Sequence, residues 1–342
     1  MKRAGHLFDR IVDRDNLRLA VYKALKGKRS KRDARAFVSD LDGQVDAMRA
    51  ALLRGDVKVG EFHQFTIFDP KERLITAPCF RERVLHHAIM NVCEPVFDRR
   101  LIADTFACRT GKGQLAALGR AREFAGRSAF FLKIDIRKYF DSINHAILLA
   151  KLERLFKDPR LLTLLGRIID GYEVSPCRGV PIGSLTSQHF ANYYLSWLDR
   201  FVKEGLRVSG YVRYMDDFAL WADSSDDLKG HLADVADFLR AELGLDLKPS
   251  PYINRTVHGM DFLGHRVFPE HLRLNRRSRV RFGRSLLHLE RAFVAREIDE
   301  ATLQQRGTAL SATTESAGLN GRRFRQSVLR WMPVSGQRPR TE

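Results

Sequence analysis

Two adjacent carboxylates, Asp216 and Asp217, stand within residues 211–222, which read Tyr-Val-Arg-Tyr-Met-Asp-Asp-Phe-Ala-Leu-Trp-Ala. The flanking valine, tyrosine, phenylalanine and tryptophan favour extended chain, whereas an aspartate pair is a poor strand interior. The stretch therefore predicts a strand, a tight turn and a second strand, with both aspartates at the bend. Carboxylates held side by side repel each other unless cations lie near them, and their oxygens suit Mg²⁺. A solvated Asp-Asp turn is the alternative, and the apolar flanks argue against it.

A third carboxylate, Asp135, follows an apolar run over residues 129–134 that contains one lysine. This run reads as a buried strand, so Asp135 falls where the strand ends. An aspartate buried there would be costly without a cation partner. The three carboxylates together predict a two-metal site for Mg²⁺, with Mn²⁺ as an alternative metal, and the chemistry of such a site is phosphoryl transfer.

The stretch around Asp135 resembles motif A of reverse transcriptases, and residues 211–222 resemble motif C and carry the Tyr-Met-Asp-Asp box of that family. The resemblance implies an α+β right-hand polymerase with fingers, a palm built on a ferredoxin-like sheet, and a short helical thumb. It also implies an RNA-directed DNA polymerase whose catalytic residues are Asp135, Asp216 and Asp217. The same residues and Ile136 are the implied metal ligands. Because side chains alternate along a strand, we expect Asp217 to point elsewhere and to contribute less than the other two.

A second resemblance narrows the family. Residues 179–188, Gly-Val-Pro-Ile-Gly-Ser-Leu-Thr-Ser-Gln, precede a long helix extending to residue 206 and resemble motif B. The Ile-Gly-x-x-x-Ser-Gln pattern, with Ala-Cys-Arg at 107–109 and a basic cluster at 26–32, resembles the bacterial and phage reverse transcriptases of diversity-generating retroelements. That likeness covers most of residues 7–270. It implies synthesis that is error-prone at template adenine, a structured RNA template and a small basic accessory protein.

The family resemblance also implies which residues contact the substrates. The expected nucleotide contacts are Lys71, Arg73, Phe140, Ile182, Gly183 and Gln188. Phe140 stands where reverse transcriptases place an aromatic gate against ribose, although a core phenylalanine is the alternative. Residues 260–268 resemble a primer grip, with Phe262, Leu263 and Gly264 at its centre. Motif D matches only in part, because Pro251 stands where a lysine is usual, so Lys248 is a doubtful proton donor.

The composition favours a nucleic-acid partner. The chain has 342 residues, 59 of them lysine or arginine, and a formal net charge of +18. A solvated arginine-rich surface and an anionic membrane surface are the alternatives. No run approaches the about 20 apolar residues of a membrane span, and the scattered cysteines indicate reduced thiols in a cytoplasmic protein. The expected partners are an RNA template, a DNA or RNA primer and deoxynucleoside triphosphates, without a membrane.

The pattern of the chain predicts four regions. These are a basic helical extension (1–60), fingers (61–128), a palm (129–268) that includes the motif B helix (183–206), and a thumb with a basic tail (269–342). The extension has the period of two helices, over 7–25 and 35–53. Residues 62–68 and 73–77 predict a hairpin with Lys71 and Arg73 at its tip.

Three other functions remain open at this level. A bacterial reverse transcriptase used in phage defence would share the same palm motifs. A group II intron protein fits less well, because nothing after the thumb resembles a maturation or endonuclease domain. A basic RNA-binding scaffold could keep the fold without activity, but the three intact carboxylates argue against it.

Overall fold

A computed structural model describes residues 2–68 and 72–331 of the chain. Lys71, one of the expected nucleotide contacts, lies outside the described residues, as does the basic tail after residue 331. Among the described helices, none combines the length and the apolar character that a membrane span requires.

The amino-terminal region consists of four helices where the sequence predicted two. They are α1 (Phe8–Ile11), α2 (Arg14–Ala24), α3 (Arg32–Ser39) and α4 (Leu41–Arg54). Each expected helix is broken at an aspartate that caps the next one: Asp13 accepts the N–H groups of Asp15 and Asn16, and Asp40 accepts that of Gly43. Capping aspartates favour a new helix start, so the apolar period continues across the break while the helix does not.

A two-stranded antiparallel hairpin follows, formed by β1 (Phe62–Phe68) and β2 (Glu72–Pro78), as the sequence predicted. Two helices come next, α5 (Phe80–Asp98) and α6 (Gln114–Arg127). Helix α5 is buried along most of its length and packs against α2. It therefore joins the amino-terminal helices to the rest of the core.

The central sheet has four antiparallel strands, β3 (Phe130–Asp135), β4 (Gly210–Tyr214), β5 (Asp217–Ala222) and β6 (Tyr252–Arg255), in the order β4-β5-β3-β6. Counted along the chain, this order is second-third-first-fourth, and a helical connection follows the first and third strands, as in the ferredoxin-like fold. Alternate residues of the strands enter two separate apolar clusters, one on each face. The predicted palm sheet is thereby confirmed.

The longer chain segments that connect these strands form helices. They are α7 (Tyr139–Ser142), α8 (His145–Leu155), α9 (Pro159–Asp170), α10 (Leu185–Tyr194), α11 (Ser196–Arg200) and α12 (Ser225–Leu243). The single helix expected to extend to residue 206 is interrupted after Tyr194 and ends in a wider π-helical turn, Phe201–Gly205. Phe201 in this turn stacks on Phe238 of α12, with ring centroids 4.3 Å apart.

The carboxy-terminal part begins with a small antiparallel sheet of β7 (Met260–Phe262), β8 (His265–Val267) and β9 (Leu272–Leu274). The sequence did not predict β9, which is only three residues long. Three helices follow: α13 (Arg276–Val294), α14 (Glu300–Glu315) and α15 (Gly318–Trp331). This arrangement is consistent with a short helical thumb.

Lys151 of α8 leads to a prediction about stability. Its side chain is only 7% exposed, its ammonium lies 3.9 Å from the ring centroid of Trp197, and burial lowers its pKa to about 8. The fold therefore disfavours the charged lysine. Lys151→Met should raise the free energy of unfolding by about 1–2 kcal/mol at pH 7, after allowance for the lost cation–π contact.

The pH dependence of this gain follows from the direction of the shift. The unfavourable effect of the buried charge is complete below the folded pKa of about 8 and disappears as the pH approaches the unfolded value. Urea titrations should thus show the gap between variant and parent narrowing from pH 7 to pH 10. Exposed Lys58 provides the matched control as Lys58→Met. A gap that stays constant with pH would contradict the explanation.

Candidate active site

The hairpin of β4 and β5 carries the aspartate pair. Tyr214 pairs with Asp217 across the ladder, so the two turn residues are Met215 and Asp216. Asp217 is therefore the first residue of β5 and does not lie in the bend, contrary to the sequence-based expectation. The reason is that the two strands are joined by a two-residue turn, the commonest hairpin connection, so the residues on either side of the turn already pair in the sheet.

The sheet brings Asp135 to the same place. Asp135 is the last residue of β3 and lies directly opposite Asp217 in the antiparallel register. Residues that are opposite in such a pair have Cα atoms about 5 Å apart and side chains on the same face. Asp217 consequently faces the same side as Asp135 and does not point elsewhere. The structure thus brings together the three carboxylates that the sequence singled out.

Two lysines balance the charge of these carboxylates. The Lys248 ammonium lies 2.5 Å from Asp135 Oδ2, and the Lys248 main-chain N–H donates to the Asp135 carbonyl at 2.9 Å. Lys133 of β3 contacts the carboxylate of Asp217. Lys133 was not singled out from the sequence, although its place two residues before Asp135 puts it on the same face of the strand. Lys248 reaches the site even though motif D matches only in part.

The carboxylates fit a hard cation. Burial raises the pKa of Asp216, the charge of Asp135 raises it further, and Lys248 and Lys133 lower it. Burial also lowers the pKa of Lys133 to about 8. Carboxylate oxygens are the ligands that Mg²⁺ prefers, and in this structure Lys248 and Lys133 hold two of the three carboxylates. In the part of the chain that the structure describes, no three His, Cys, Asp or Glu side chains are already arranged as a metal site.

The motif B loop packs on the fingers hairpin. The main-chain N–H of Thr76 in β2 donates to the Ile182 carbonyl at 2.8 Å. Gly183 has φ +123, and a Cβ built on it would lie 2.8 Å from Ile75 Cγ2. Ile182 and Gly183 are partly buried, whereas Gln188, which the sequence placed at the end of the loop, lies within helix α10 and is exposed. The loop therefore packs closely against β2, and the positive φ and short contacts at position 183 favour glycine.

Phe140 and Arg73, the two other expected nucleotide contacts among the described residues, differ in burial. Phe140 of α7 is partly buried, with its ring in an edge contact with Tyr139 at 5.6 Å and its carbonyl accepting the Val180 N–H at 3.0 Å. It is consequently not a fully buried core residue. Arg73 is exposed on β2, opposite Ile67.

The expected primer grip is the hairpin of β7 and β8. Its turn residues, Leu263 and Gly264, both have positive φ, 47 and 79, as in a type I′ turn. Gln114 Nε2 donates to the Leu263 carbonyl at 2.6 Å. Phe262 is 1% exposed, and the Lys133 ammonium lies 5.3 Å from its ring centroid. The hairpin thus packs directly on the strand that carries Asp135.

Comparison with known families agrees with this geometry. The family described as "Reverse transcriptase (RNA-dependent DNA polymerase)" matches residues 68–267, which is more than half of the chain. The chain belongs to the reverse transcriptase family. Its class is accordingly RNA-directed DNA polymerase, with the right-hand fold that the sequence predicted. The matched region contains the three carboxylates, the motif B loop and the β7–β8 hairpin.

Individual relatives are distant. Protein YkfC of Escherichia coli (strain K12) is 24% identical over an alignment of length 300, and the match covers 69% of this chain and 74% of that protein. The group II intron-encoded protein LtrA of Lactococcus lactis subsp. cremoris is 25% identical over 138 residues, or 39% of this chain and 23% of LtrA. A solved structure of Candida albicans telomerase with a telomeric RNA fragment gives a TM-score of 0.45 at 12% identity, over 80% of this chain and 55% of that chain.

Proposed function

We propose that this protein extends a primer with deoxynucleotides along an RNA template, at a site formed by Asp135, Asp216 and Asp217. The observation that carries the proposal is the strand register, which sets Asp135 opposite Asp217 with Asp216 in the adjoining turn. In the reaction, the primer 3′ oxygen forms a bond to the α-phosphorus of the nucleotide, and the bond to pyrophosphate breaks.

Different residues of the site would bind the metal and supply a proton. Asp135 and Asp216 would hold Mg²⁺, and Ile136 would assist only through its main-chain carbonyl, because its hydrocarbon side chain has no atom that can bind a metal. When bound, Mg²⁺ activates the attacking hydroxyl and neutralises charge on the phosphates. Lys248 holds a proton at Nζ beside Asp135 and is about half exposed. In the proposed reaction, Lys248 would give that proton to the leaving group.

The nucleotide would lie between the fingers hairpin and the palm. Ile182 and Gly183 would contact its base and sugar, and Arg73, Lys71 and Gln188 its phosphates or the template. Phe140 would lie under the sugar and exclude a 2′-hydroxyl. In a competition between ribonucleotides and deoxynucleotides, Phe140→Val should therefore incorporate more ribonucleotide, and unchanged selectivity would show that the ring does not lie under the sugar.

The RNA would bind to basic surfaces outside the active site. Residues 26–35 carry five exposed cationic side chains near the end of α2 and on α3: Lys26, Arg29, Lys31, Arg32 and Arg35. Helix α13 adds exposed arginines beside the primer-grip hairpin. Cationic contacts with phosphates release counterions, so binding of RNA would weaken with salt.

We further propose that the polymerase is error-prone at template adenine, as in a diversity-generating retroelement, and acts with a structured RNA and a small basic accessory protein. Ile182 supports this proposal. Its aliphatic side chain cannot donate a hydrogen bond near the nucleotide, where other reverse transcriptases usually carry glutamine. A missing restraint of about 1 kcal/mol would reduce discrimination about tenfold.

The test is sequencing of products made on an RNA template of mixed composition. The parent enzyme should misincorporate mainly opposite adenine, and Ile182→Gln should reduce these errors about tenfold. Leu162→Gln on α9, a partly buried aliphatic residue outside this loop, provides the comparison. An error rate no higher at adenine than elsewhere would favour a bacterial reverse transcriptase of another kind, such as one used in defence.

A further inference from the structure

Arg213 lies fully buried beneath the aspartate turn, with no exposed side-chain surface. Its Nε and Nη2 donate to the two carboxylate oxygens of Asp199, both at 2.6 Å. Its Nη1 donates to Asn192 Oδ1 at 2.9 Å and to the Met215 carbonyl at 3.0 Å. Nη2 also donates to the Asn192 carbonyl at 3.0 Å. A guanidinium has five donors in a fixed fork, so every donor is used and the orientation of the group is fixed.

Apart from the Met215 carbonyl, the acceptors of Arg213 belong to the helices that follow the motif B loop. Asn192 is in α10 and Asp199 is in α11. Asp199 is itself held by the hydroxyl of Tyr211 at 2.7 Å and that of Thr105 at 2.9 Å. Arg213 therefore connects a rigid, buried part of the palm to one carbonyl of the turn.

That carbonyl belongs to a residue in an unfavourable conformation. Met215 has φ 60, in the left-handed region that residues other than glycine, asparagine and aspartate rarely adopt. Two-residue hairpin turns usually place glycine, asparagine or aspartate at such positions. The Met215 carbonyl is part of the peptide that leads directly into Asp216, so the bond from Arg213 acts on the backbone that aims the Asp216 carboxylate.

We propose that Arg213 is a positioning residue for the polymerase reaction: it fixes the Met215–Asp216 peptide relative to α10, and so keeps the Asp216 carboxylate aimed at the metal and the nucleotide. This inference rests on the catalytic role proposed for Asp216. Arg213 does not touch the substrates, because it is buried and all its donors are taken within the protein. Its effect reaches the reaction through the turn.

The test uses Arg213→Lys, which keeps a cation beside Asp199 but lacks the planar fork that also reaches Met215. The expected result is a kcat about 100-fold lower with a nucleotide KM within about threefold of the parent, since a displaced catalytic group slows the chemistry more than binding. Amide hydrogen exchange in the 214–217 turn should become faster in the absence of substrate. That second measurement does not depend on activity.

Matched controls are Thr105→Val and Tyr211→Phe. Each removes a hydrogen bond to Asp199 in the same buried cluster, and neither side chain bonds to the turn. They should lower Tm while leaving kcat within about threefold and turn exchange unchanged. Should Arg213→Lys fail to fold, Asn192→Ala keeps the ion pair and frees one donor of the fork. It should give faster turn exchange and a kcat about tenfold lower.

The outcomes separate the inference from the proposed function. Unchanged hydrogen exchange of the turn in both Arg213→Lys and Asn192→Ala would overturn the positioning role. The role would also be overturned if Thr105→Val or Tyr211→Phe lowered kcat as much as Arg213→Lys does for the same decrease in Tm. Full activity of Asp216→Asn would overturn the proposed catalytic site instead. Faster turn exchange in Arg213→Lys together with that result would show that Arg213 holds the turn but that the turn is not catalytic.

Discussion

Asp216→Asn should abolish RNA-templated primer extension, with a loss of at least about 1,000-fold in kcat. The substitution keeps the shape of the side chain and removes its charge at the end of the β4–β5 turn. A carboxylate that holds a divalent metal contributes several kcal/mol of charge stabilisation in the transition state, and about 1.4 kcal/mol corresponds to a factor of ten. Asp135→Asn should have a comparable effect. Asp217→Asn should retain more activity, because the proposal assigns the metal to Asp135 and Asp216 and gives Asp217 only a contact with Lys133.

A thermal measurement checks the same assignment without activity. Burial and the nearby charge of Asp135 raise the pKa of Asp216, so its ionised form is disfavoured when no metal is bound. Asp216→Asn should therefore raise the Tm of the metal-free protein, and Mg²⁺ should stabilise the parent but not the variant. Asp226→Asn, at an exposed position in the first turn of α12, is the control. Incorporation by Asp216→Asn at the parental rate would show that the site assignment is wrong.

Gly183→Ala should reduce kcat/KM for nucleotide incorporation about 100-fold. At φ +123 an alanine is strained, and its Cβ would lie 2.8 Å from Ile75 Cγ2 and 3.2 Å from the Thr76 carbonyl. The loop and strand β2 must separate, which would break the hydrogen bond from the Thr76 N–H to the Ile182 carbonyl. Because the fingers hairpin and the loop would both contact the nucleotide, KM should rise more than kcat falls. Single-nucleotide incorporation kinetics provide the measurement.

Two other glycines separate the causes of this effect. Gly27→Ala has backbone strain alone, because φ is +69 and the space around the added Cβ is open. Gly230→Ala lies within α12 with open space and no positive φ, so it should be stabilising by about 0.5–1 kcal/mol. Both variants should keep parental kinetics. If Gly183→Ala behaves as Gly27→Ala does, close packing between the loop and β2 is not needed for nucleotide binding.

Much of the fold follows from short stretches of sequence. The apolar run before Asp135 and the strand-forming residues around Asp216 are local signals, and the structure has strands at both places. Helices with a strong apolar period were also predicted. Their boundaries were less accurate, since Asp13 and Asp40 act as caps within a continuous period. The three-residue strand β9 has too few residues to show any period at all.

The active site required contacts between residues that are far apart in the chain. Lys248 and Asp135 are separated by 113 positions, yet they form a 2.5 Å ion pair. The motif match in that region was incomplete, so the sequence did not show that Lys248 lies beside Asp135. The sequence around Arg213 did not predict its buried ion pair with Asp199. A charged residue within a strand can be buried only with a partner, and nothing in the local sequence identifies that partner.

The sequence by itself determined which residues can do the chemistry and that a strand–turn–strand unit presents them, because residue type and local conformational preference are properties of short segments. Only the tertiary structure decided that Asp217 opens a strand opposite Asp135, that Lys133 and Lys248 balance the carboxylates, and that Arg213 holds the turn from below. Strand register and buried ion pairs depend on which distant segments meet. A one-residue shift in register would move Asp135 to the other face of the sheet, and no local pattern excludes that shift.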